Sequence, residues 1–343
     1  MLTQKALNQP KSTVVHVPVL DPVLNIMSFL CTTTYEIFMT GTLFHSVEEP
    51  SVMISPSSSE DAVFKQKNIN LSPEQKELLL WHYRLGHINI KHVQSLLQKP
   101  RSGEPRIIKP SNNKCSHCHQ PMCSVCQYAK QKRRLPPKNA ITLPSLAGSL
   151  SDNIVDPGQR VSVDLYVATT PGCLPNTLGK EKVTTQFTGG AIFVDHATRY
   201  IFNQHQLSTT TSESILSKHA FEDHSSTHGV KIQEYVADNN PFHGKEWTNN
   251  CLNQQQLRHF SGVGAHHQNY SERQIQTIFN MSRAMLIHFA LHWPHVADTN
   301  LWPFAVDHAI YIWNNIPGRE ASLMMSPKEL FTGIKYQNYN HCL

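Results

Sequence analysis

Three carboxylates from separate parts of the chain lie in sequence contexts that suit residues binding two metal ions for phosphoryl transfer. Asp164 closes the apolar run VSVD, Asp238 closes the run YVAD, and Glu272 stands where a helix is predicted to start. Mg²⁺ prefers a few carboxylate oxygens together with waters and substrate phosphates. Two such ions can hold both the attacking and the leaving oxygen of a phosphoryl transfer. Each acid alone is more often a turn, cap or helix-dipole residue, so the hypothesis depends on the surrounding sequence.

A second candidate site consists of histidines and cysteines at the spacing of metal ligands. His82 and His87 flank the end of a predicted helix, and Cys123 and Cys126 form a C-x-x-C pair further along. These four residues could form a closed tetrahedral zinc site. The upstream pair Cys115–Cys118 is a rival, because the two C-x-x-C pairs together could bind the ion without the histidines.

The elements predicted around these ligands form a small helical module. Ser72 is a favourable N-cap, and Gly86 suits the position that follows a helix end. Ending the helix at Gly86 allows His87 to fold back toward His82, from which it would otherwise point away on a continuous helix. A second helix is predicted over residues 90–98, followed by a polar loop and the cysteines.

The carboxylates fall in a region where strands and helices alternate. Strands are predicted in RVSVDLYVAT, on both sides of a turn in GGAIFVDHATRYIFNQHQ, in KIQEYVAD and in HFSGVG. Asp195 is interpreted as a residue of that turn. Helices are predicted over TTTSESILSKHAFEDHSSTHG, over residues 246–257, and onward from an N-cap at Ser271. Three strands followed by alternating helix and strand is the element order of a ribonuclease H-like α/β fold.

Composition sets the remaining bounds. The chain has 343 residues and a formal charge of +5, which permits a polyanionic partner without requiring one. Cysteines spaced as metal ligands favour a reducing compartment. The N-terminus lacks the apolar core of a secretion signal, and the apolar stretch over residues 19–44 is interrupted by charges and proline, so no membrane segment is expected.

A basic, proline-containing stretch follows the cysteines. The sequence KQKRRLPPK reads either as a solvated linker or as a semi-rigid segment that contacts nucleic-acid phosphates. The candidate phosphate contacts, called the five linker cations below, are Lys130, Lys132, Arg133, Arg134 and Lys138.

Taken together, these motifs resemble the integrase segment of copia-type LTR retrotransposon polyproteins over about residues 72–335. LLLWHYRLGHINIKHVQSLL and CSVCQYAK resemble the GAG-pre-integrase zinc module of that family. The second motif matches the C-x-x-C-x₃-K ending and thereby selects Cys123 and Cys126 over the upstream pair. VSVDLY, ADNNPF and GVGAHHQNYSERQIQT resemble the motifs that carry the family's catalytic acids, and IFVDHATRYIF, LWPFAVDHAIYIWN and SPKELFTG are similar as well.

The resemblance implies an architecture. The expected fold is a ribonuclease H-like integrase core, a mixed five-stranded sheet with flanking helices, preceded by a small helical His₂Cys₂ zinc module. The expected divisions are a poorly defined segment 1–70 that weakly resembles the tail of a retrotransposon protease region, the zinc module 71–130, a linker 131–155, the catalytic core 156–320 and a truncated tail 321–343.

The resemblance also implies a reaction, its cofactors and its partners. A metal-activated water trims the 3′ end of element DNA, and the exposed hydroxyl then attacks a target phosphodiester. Two Mg²⁺ or Mn²⁺ ions would be held by Asp164, Asp238 and Glu272, and Zn²⁺ by the His₂Cys₂ set. Candidates for orienting DNA or the Glu272 helix are Asn239, Asn269, Arg273 and Arg283. The expected partner is double-stranded DNA, both element ends and target, bound by a homo-oligomer in the nucleus after particle assembly in the cytoplasm, with no membrane involved.

Two departures from the family pattern keep alternatives open. Asn240 stands where the family usually has glycine, and the segment Asn269–Arg273 is one residue shorter than the usual motif. One alternative is a catalytically decayed DNA-binding remnant of the polyprotein. Another is a ribonuclease H-type nuclease that cleaves nucleic acid without joining it.

Overall fold

The computed structural model describes residues 70–99, 107–129, 156–174, 186–237, 242–260, 270–318 and 325–335. The predicted linker 131–155 and the N-terminal segment up to residue 69 lie outside these ranges, and the proposed domain boundaries stay predictions. Among the described residues, no helix is both long enough and apolar enough to cross a bilayer.

The first described residues form the predicted helical module. Its helices are α1 (Pro73–Arg84), α2 (Ile90–Leu97), a short 3₁₀ turn (Asn113–Ser116) and α3 (Ser124–Ala129). Ser72 caps α1 in a reciprocal pair with Gln75: its hydroxyl accepts from the Gln75 N–H, and its own N–H donates to the Gln75 side chain. The chain then turns through Gly86 and His87, with φ values of 60° and 61°. The predicted end of α1 and the fold-back of His87 are therefore confirmed.

Five strands form one mixed sheet. They are β1 (Val161–Gly172), β2 (Phe187–Asp195), β3 (Ile201–Gln206), β4 (Glu234–Ala237) and β5 (Leu257–Phe260). The order across the sheet is β3-β2-β1-β4-β5, with β2 antiparallel to both neighbours and with β1, β4 and β5 parallel. This topology confirms the mixed five-stranded sheet of a ribonuclease H-like fold.

Helices cover both faces of the sheet. They are α4 (Thr211–Thr227), α5 (Lys245–Asn253), α6 (Tyr270–His292), α7 (Trp302–Asn315) and α8 (Pro327–Thr332). Val163 of β1 packs in a cluster with Phe221 of α4 and Trp247 of α5. Tyr166 packs in a different cluster with Ile278 of α6 and Val306 of α7. Because side chains alternate along a strand, Asp164 lies on the same face as Tyr166, the face that α6 and α7 cover.

The helical module shares its core with that α6/α7 face. Leu78, Leu85 and Val93 of the module belong to the same buried cluster as Met285 and Ile312 of the two helices. Gly86 lies at this junction, where an added Cβ atom would meet Ile312 Cδ1 at 2.8 Å and Met285 Sδ at 3.2 Å. The module is thus seated directly on the helices that flank the sheet.

Three sequence predictions differ from the structure. The helix predicted over 246–257 ends at Asn253, because Gln255 adopts a left-handed φ of 56° and releases the chain into β5 at Leu257. Helix α6 begins at Tyr270, so Ser271 lies inside its first turn and is not its cap. Asp164 does not end its strand, because β1 continues to pair with β2 as far as the Gly172–Phe187 pair.

Candidate metal centre and candidate active site

The structure brings His82, His87, Cys123 and Cys126 together at one buried point. The Cys126 Sγ atom lies 3.3 Å from His82 Nε2 and 3.6 Å from His87 Nδ1, and Cys123 Sγ lies 3.5 Å from His87 Nδ1. All four ligand atoms fall within 4.8 Å of one another. A tetrahedral zinc ion with ordinary Zn–N and Zn–S bonds separates its ligand atoms by about 3.3–3.8 Å. The donor set therefore fits a zinc-sized ion, and no other His/Cys/Asp/Glu group with such geometry occurs among the described residues.

Local structure explains how the four side chains meet. The His87 N–H donates to the His82 carbonyl at 2.9 Å, which closes the left-handed turn and returns the second imidazole to the first. Cys123 immediately precedes α3, and Cys126 lies on its first turn. One helix end and one helix start thus supply two ligands each.

Hydrogen bonds beyond the cluster fix the tautomers of both imidazoles. His82 Nδ1 lies 2.7 Å from the Ile88 carbonyl oxygen, so Nδ1 carries the proton and Nε2 presents its lone pair to the thiols. His87 Nε2 lies 2.9 Å from Nδ1 of His288, a residue 201 positions further along the chain. Burial lowers the pKa of His288 to about 2, and its ring is therefore neutral. His288 was not predicted as part of this cluster, because neither its spacing nor its sequence neighbours resemble those of a metal ligand.

The two thiols share their protons unequally. A hydrogen bond from Cys123 lowers the pKa of the Cys126 thiol against the opposing effect of burial, and His82 and His87 lower it further. The same bond, together with burial, raises the pKa of Cys123. Metal ions bind thiolates, so ligation of an ion by both sulfurs requires both thiols to lose their protons.

The rival cysteine pair is held differently. The Cys115 thiol donates to Glu77 Oε2 at 3.2 Å, and the Cys118 thiol donates to the Cys115 carbonyl oxygen. Burial raises the pKa of Cys115 to about 12, with the Glu77 carboxylate adding to the effect. The structure thus brings together the His₂Cys₂ set rather than the four cysteines.

Two of the three candidate catalytic acids can be placed. Asp164 is half-buried on β1, and its Oδ1 atom accepts from the Leu165 N–H at 2.8 Å. Glu272 is exposed in the first turn of α6. Asp238 lies outside the described residues; it follows Ala237, which pairs with Val163 on the neighbouring parallel strand.

Asp195, at the end of β2, is a turn residue as the sequence predicts. Its carboxylate is fully buried and accepts from the N–H of Gly158 and from both the N–H and the hydroxyl of Thr198, at 2.7–2.8 Å. Burial raises the pKa of Asp195 in spite of these donors. With both oxygens engaged inside the fold, this acid closes the β2–β3 turn.

The candidate DNA contacts are only partly described. Arg273 is exposed beside Glu272. Arg283 donates to the Ala129 carbonyl oxygen at 3.0 Å, so it joins α6 to the end of α3. The remaining candidates lie outside the described residues: Asn239, Asn269 and the five linker cations.

Comparison with known proteins gives matches only among solved structures. No protein-family model matches the sequence, and no curated protein matches it. The cryoEM structure of a simian T-cell lymphotropic virus intasome in complex with PP2A regulatory subunit B56 gamma matches at 15% identity and a TM-score of 0.36, over 52% of this chain and 55% of that one. This chain thus spans about half the length of that relative.

Two structures of the HTLV-2 integrase catalytic core domain in complex with magnesium also match. The trimeric form does so at 17% identity and a TM-score of 0.34, over 51% of this chain and 97% of that one. The dimeric form gives 16% identity and a TM-score of 0.33, over 52% and 97%. The fold assignment rests on the strand order and register given above rather than on these partial overlaps.

Proposed function

We propose that this chain is an integrase of the copia type, a polynucleotidyl transferase that trims the 3′ ends of an element and joins them to target DNA. The proposal rests on one observation: the candidate acids and the His₂Cys₂ cluster occur together in this fold. A ribonuclease H-like sheet bears Asp164 on its central strand and Glu272 on the helix that covers the same face, and a His₂Cys₂ cluster is seated on that helix.

In this proposal, each of the three acids is assigned for a different reason. The Leu165 N–H orients the Asp164 carboxylate. Asp238 follows the last residue of β4, Ala237, and is assigned as the second acid by its motif, ADNNPF. Glu272 projects from the exposed start of α6. Two Mg²⁺ or Mn²⁺ ions bound between such acids would stabilise the negative charge that develops on the reacting phosphate.

The His₂Cys₂ cluster takes a structural role in the proposal. Four protein ligands fill the tetrahedral shell of Zn²⁺ and leave no position open for water or substrate, as in structural rather than catalytic zinc sites. We therefore assign Zn²⁺ to this cluster, where it fastens α1 to α3.

The proposed partners follow from the resemblance and from charge. Double-stranded DNA, from the element ends and from the target, would contact the five linker cations and Arg273. Joining two element ends to one target requires a homo-oligomer, and the reaction belongs in the nucleus.

A strand-transfer assay with the purified chain and a labelled element-end duplex tests the proposal. The expected products, with Mg²⁺ or Mn²⁺ present, are a trimmed donor strand and longer joined strands. Trimming without joining would instead identify a ribonuclease H-type nuclease. DNA binding without either product, restored to activity by inserting one residue before Ser271, would identify the decayed remnant, because that insertion restores the family length of the segment before Glu272.

A further inference from the structure

Helix α6 has a residue with a candidate chemical role near each end. Glu272 lies in its first turn, and His288 lies near its last residue, His292. The two residues are 16 positions apart, which at about 1.5 Å of rise per residue is roughly 24 Å of continuous helix. The His288 ring sits against Tyr83, with centroids 4.5 Å apart, and its Nδ1 atom faces His87 Nε2 at 2.9 Å. The far end of the proposed catalytic helix therefore touches the proposed metal centre.

Geometry determines which imidazole of this histidine pair donates the hydrogen bond and which one accepts it. His87 Nδ1 faces both thiol sulfurs, at 3.5 Å and 3.6 Å, and is thus the ligating nitrogen. A neutral imidazole that ligates through Nδ1 must carry its proton on Nε2. That proton points at His288 Nδ1, which accepts it. Without this acceptor, the His87 proton is free to move to Nδ1, which removes the lone pair that faces the two sulfurs.

Neighbouring contacts extend the junction along the same stretch of α6. Ala284, one turn before His288, packs with Cys123 and Cys126 in one buried cluster, and Ile287 and Leu291 lie against it. Arg283 donates to the Ala129 carbonyl at the end of α3. The second half of α6 is thus seated on the very residues that would hold the ion.

We propose that His288 is a positioning residue of the metal centre, which holds His87 in its ligating tautomer and through which metal binding anchors the second half of α6. This inference rests on the His₂Cys₂ metal centre of the proposed function, though not on DNA joining. Removing the ion would leave the paired thiols without their cation and His87 without a fixed orientation. The packing of the second half of α6 against the helical module would weaken as a result.

The test uses the full chain and three variants. His288→Leu removes the acceptor and keeps an apolar side chain of moderate size, and His288→Asn keeps an acceptor oxygen near the position of Nδ1. His295→Leu, at an exposed histidine beyond α6, is the matched control. The zinc Kd is measured by chelator competition, the ligand field by the absorption spectrum of the Co²⁺ form, and helix anchoring by hydrogen exchange of residues 283–292 with and without chelator.

We expect His288→Leu to weaken zinc binding about 10–100-fold, the usual effect of losing a hydrogen-bond partner of a ligating histidine. His288→Asn should recover part of that loss and a parent-like Co²⁺ spectrum, and His295→Leu should match the parent. Chelation should speed exchange over 283–292 in the parent.

Three results would overturn the inference. His288→Leu could bind zinc as the parent does, His288→Asn could be no better than His288→Leu, or chelation could leave the exchange of α6 unchanged. A parent that binds no zinc would overturn the metal centre as well. A parent that binds zinc through Cys123 but joins no DNA would overturn only the proposed reaction.

Discussion

The ring of Phe279 meets the ring of Tyr166 edge-on, with centroids 4.9 Å apart and planes at 67°. Tyr166 lies two residues after Asp164 on β1, and Phe279 lies two helical turns after Glu272 on α6. Residues two apart share a face of a strand, and residues seven apart share a face of a helix. This one contact therefore puts the Asp164 face of the sheet and the Glu272 face of the helix against each other.

The first prediction follows from that arrangement. Asp164→Asn and Glu272→Gln should each reduce end trimming and strand transfer to background, because each removes an anionic oxygen that the proposed reaction needs for its cations. Zinc content and DNA binding should stay close to those of the parent. The measurement is a gel assay of both products, alongside zinc analysis of each purified variant.

A matched control exists for the glutamate. Glu246 is also an exposed glutamate in the first turn of a helix, α5, and it is not among the candidate acids. Glu246→Gln should therefore keep parent activity. Activity in Glu272→Gln would mean that the shortened segment before it has displaced this residue and that another acid completes the set.

The second prediction separates the two cysteine pairs. Cys123→Ser should lose the zinc ion and unfold the helical module, because binding and folding of such modules are coupled. Cys115→Ser should keep one zinc per chain, since the Cys115 thiol donates to Glu77 and lies outside the cluster. Metal analysis and circular dichroism with and without chelator measure both effects. Loss of zinc from Cys115→Ser would make the upstream pair a ligand.

Much of the candidate metal centre was predictable, for local reasons. The turn at Gly86 and the C-x-x-C spacing are short-range signals, and both predicted ligand pairs meet in the structure. The part that escaped prediction is long-range: His288 reaches His87 only because α6 packs on the module. The left-handed conformation of Gln255 was not predicted for a different reason. Glycine adopts a positive φ readily and so signals such a turn, whereas glutamine rarely does.

In the sheet, too, local signals predicted some features, while long-range contacts determined others. Alternation and turn residues predicted its strands, and they predicted Asp195 in the β2–β3 turn. The length of β1 beyond Asp164 was missed, because its second half is stabilised by pairing with β2, and that pairing has no local signature.

The third prediction concerns Asp195. Asp195→Ala would leave two buried donors on Thr198 and one on Gly158 without their acceptor. Unpaired buried donors cost roughly 1–3 kcal/mol each, so thermal unfolding of the metal-free chain should shift several degrees downward. Asp223→Ala, at an exposed position of α4, is the control and should change the unfolding temperature little. Equal temperatures for both variants would contradict the role of Asp195 in the turn.

The fourth prediction concerns Gly86. Gly86→Ala adds a Cβ atom that collides with Ile312 Cδ1 at 2.8 Å, and it forces alanine to a φ of 60°. Gly229→Ala is the matched control, because Gly229 also has a left-handed φ, 73°, but an added Cβ would have nothing within 4 Å. The control isolates the backbone cost, about 1 kcal/mol. Gly86→Ala should destabilise the chain more and weaken zinc binding, and Ile312→Val should restore part of the loss.

The fifth prediction concerns the five linker cations, which lie outside the described residues. If each neutralises a DNA phosphate, the logarithm of the binding constant should fall against the logarithm of salt concentration with a slope of roughly −0.9 per contact. Changing all five to glutamine should flatten that slope, and Arg133→Gln with Arg134→Gln should flatten it by roughly 1.8. Lys231→Gln with Lys245→Gln removes the same charge from exposed positions of the core and should change the slope less. Equal slopes for the two double variants would mean that the linker contributes only its general charge, and that the DNA path crosses another face of the protein.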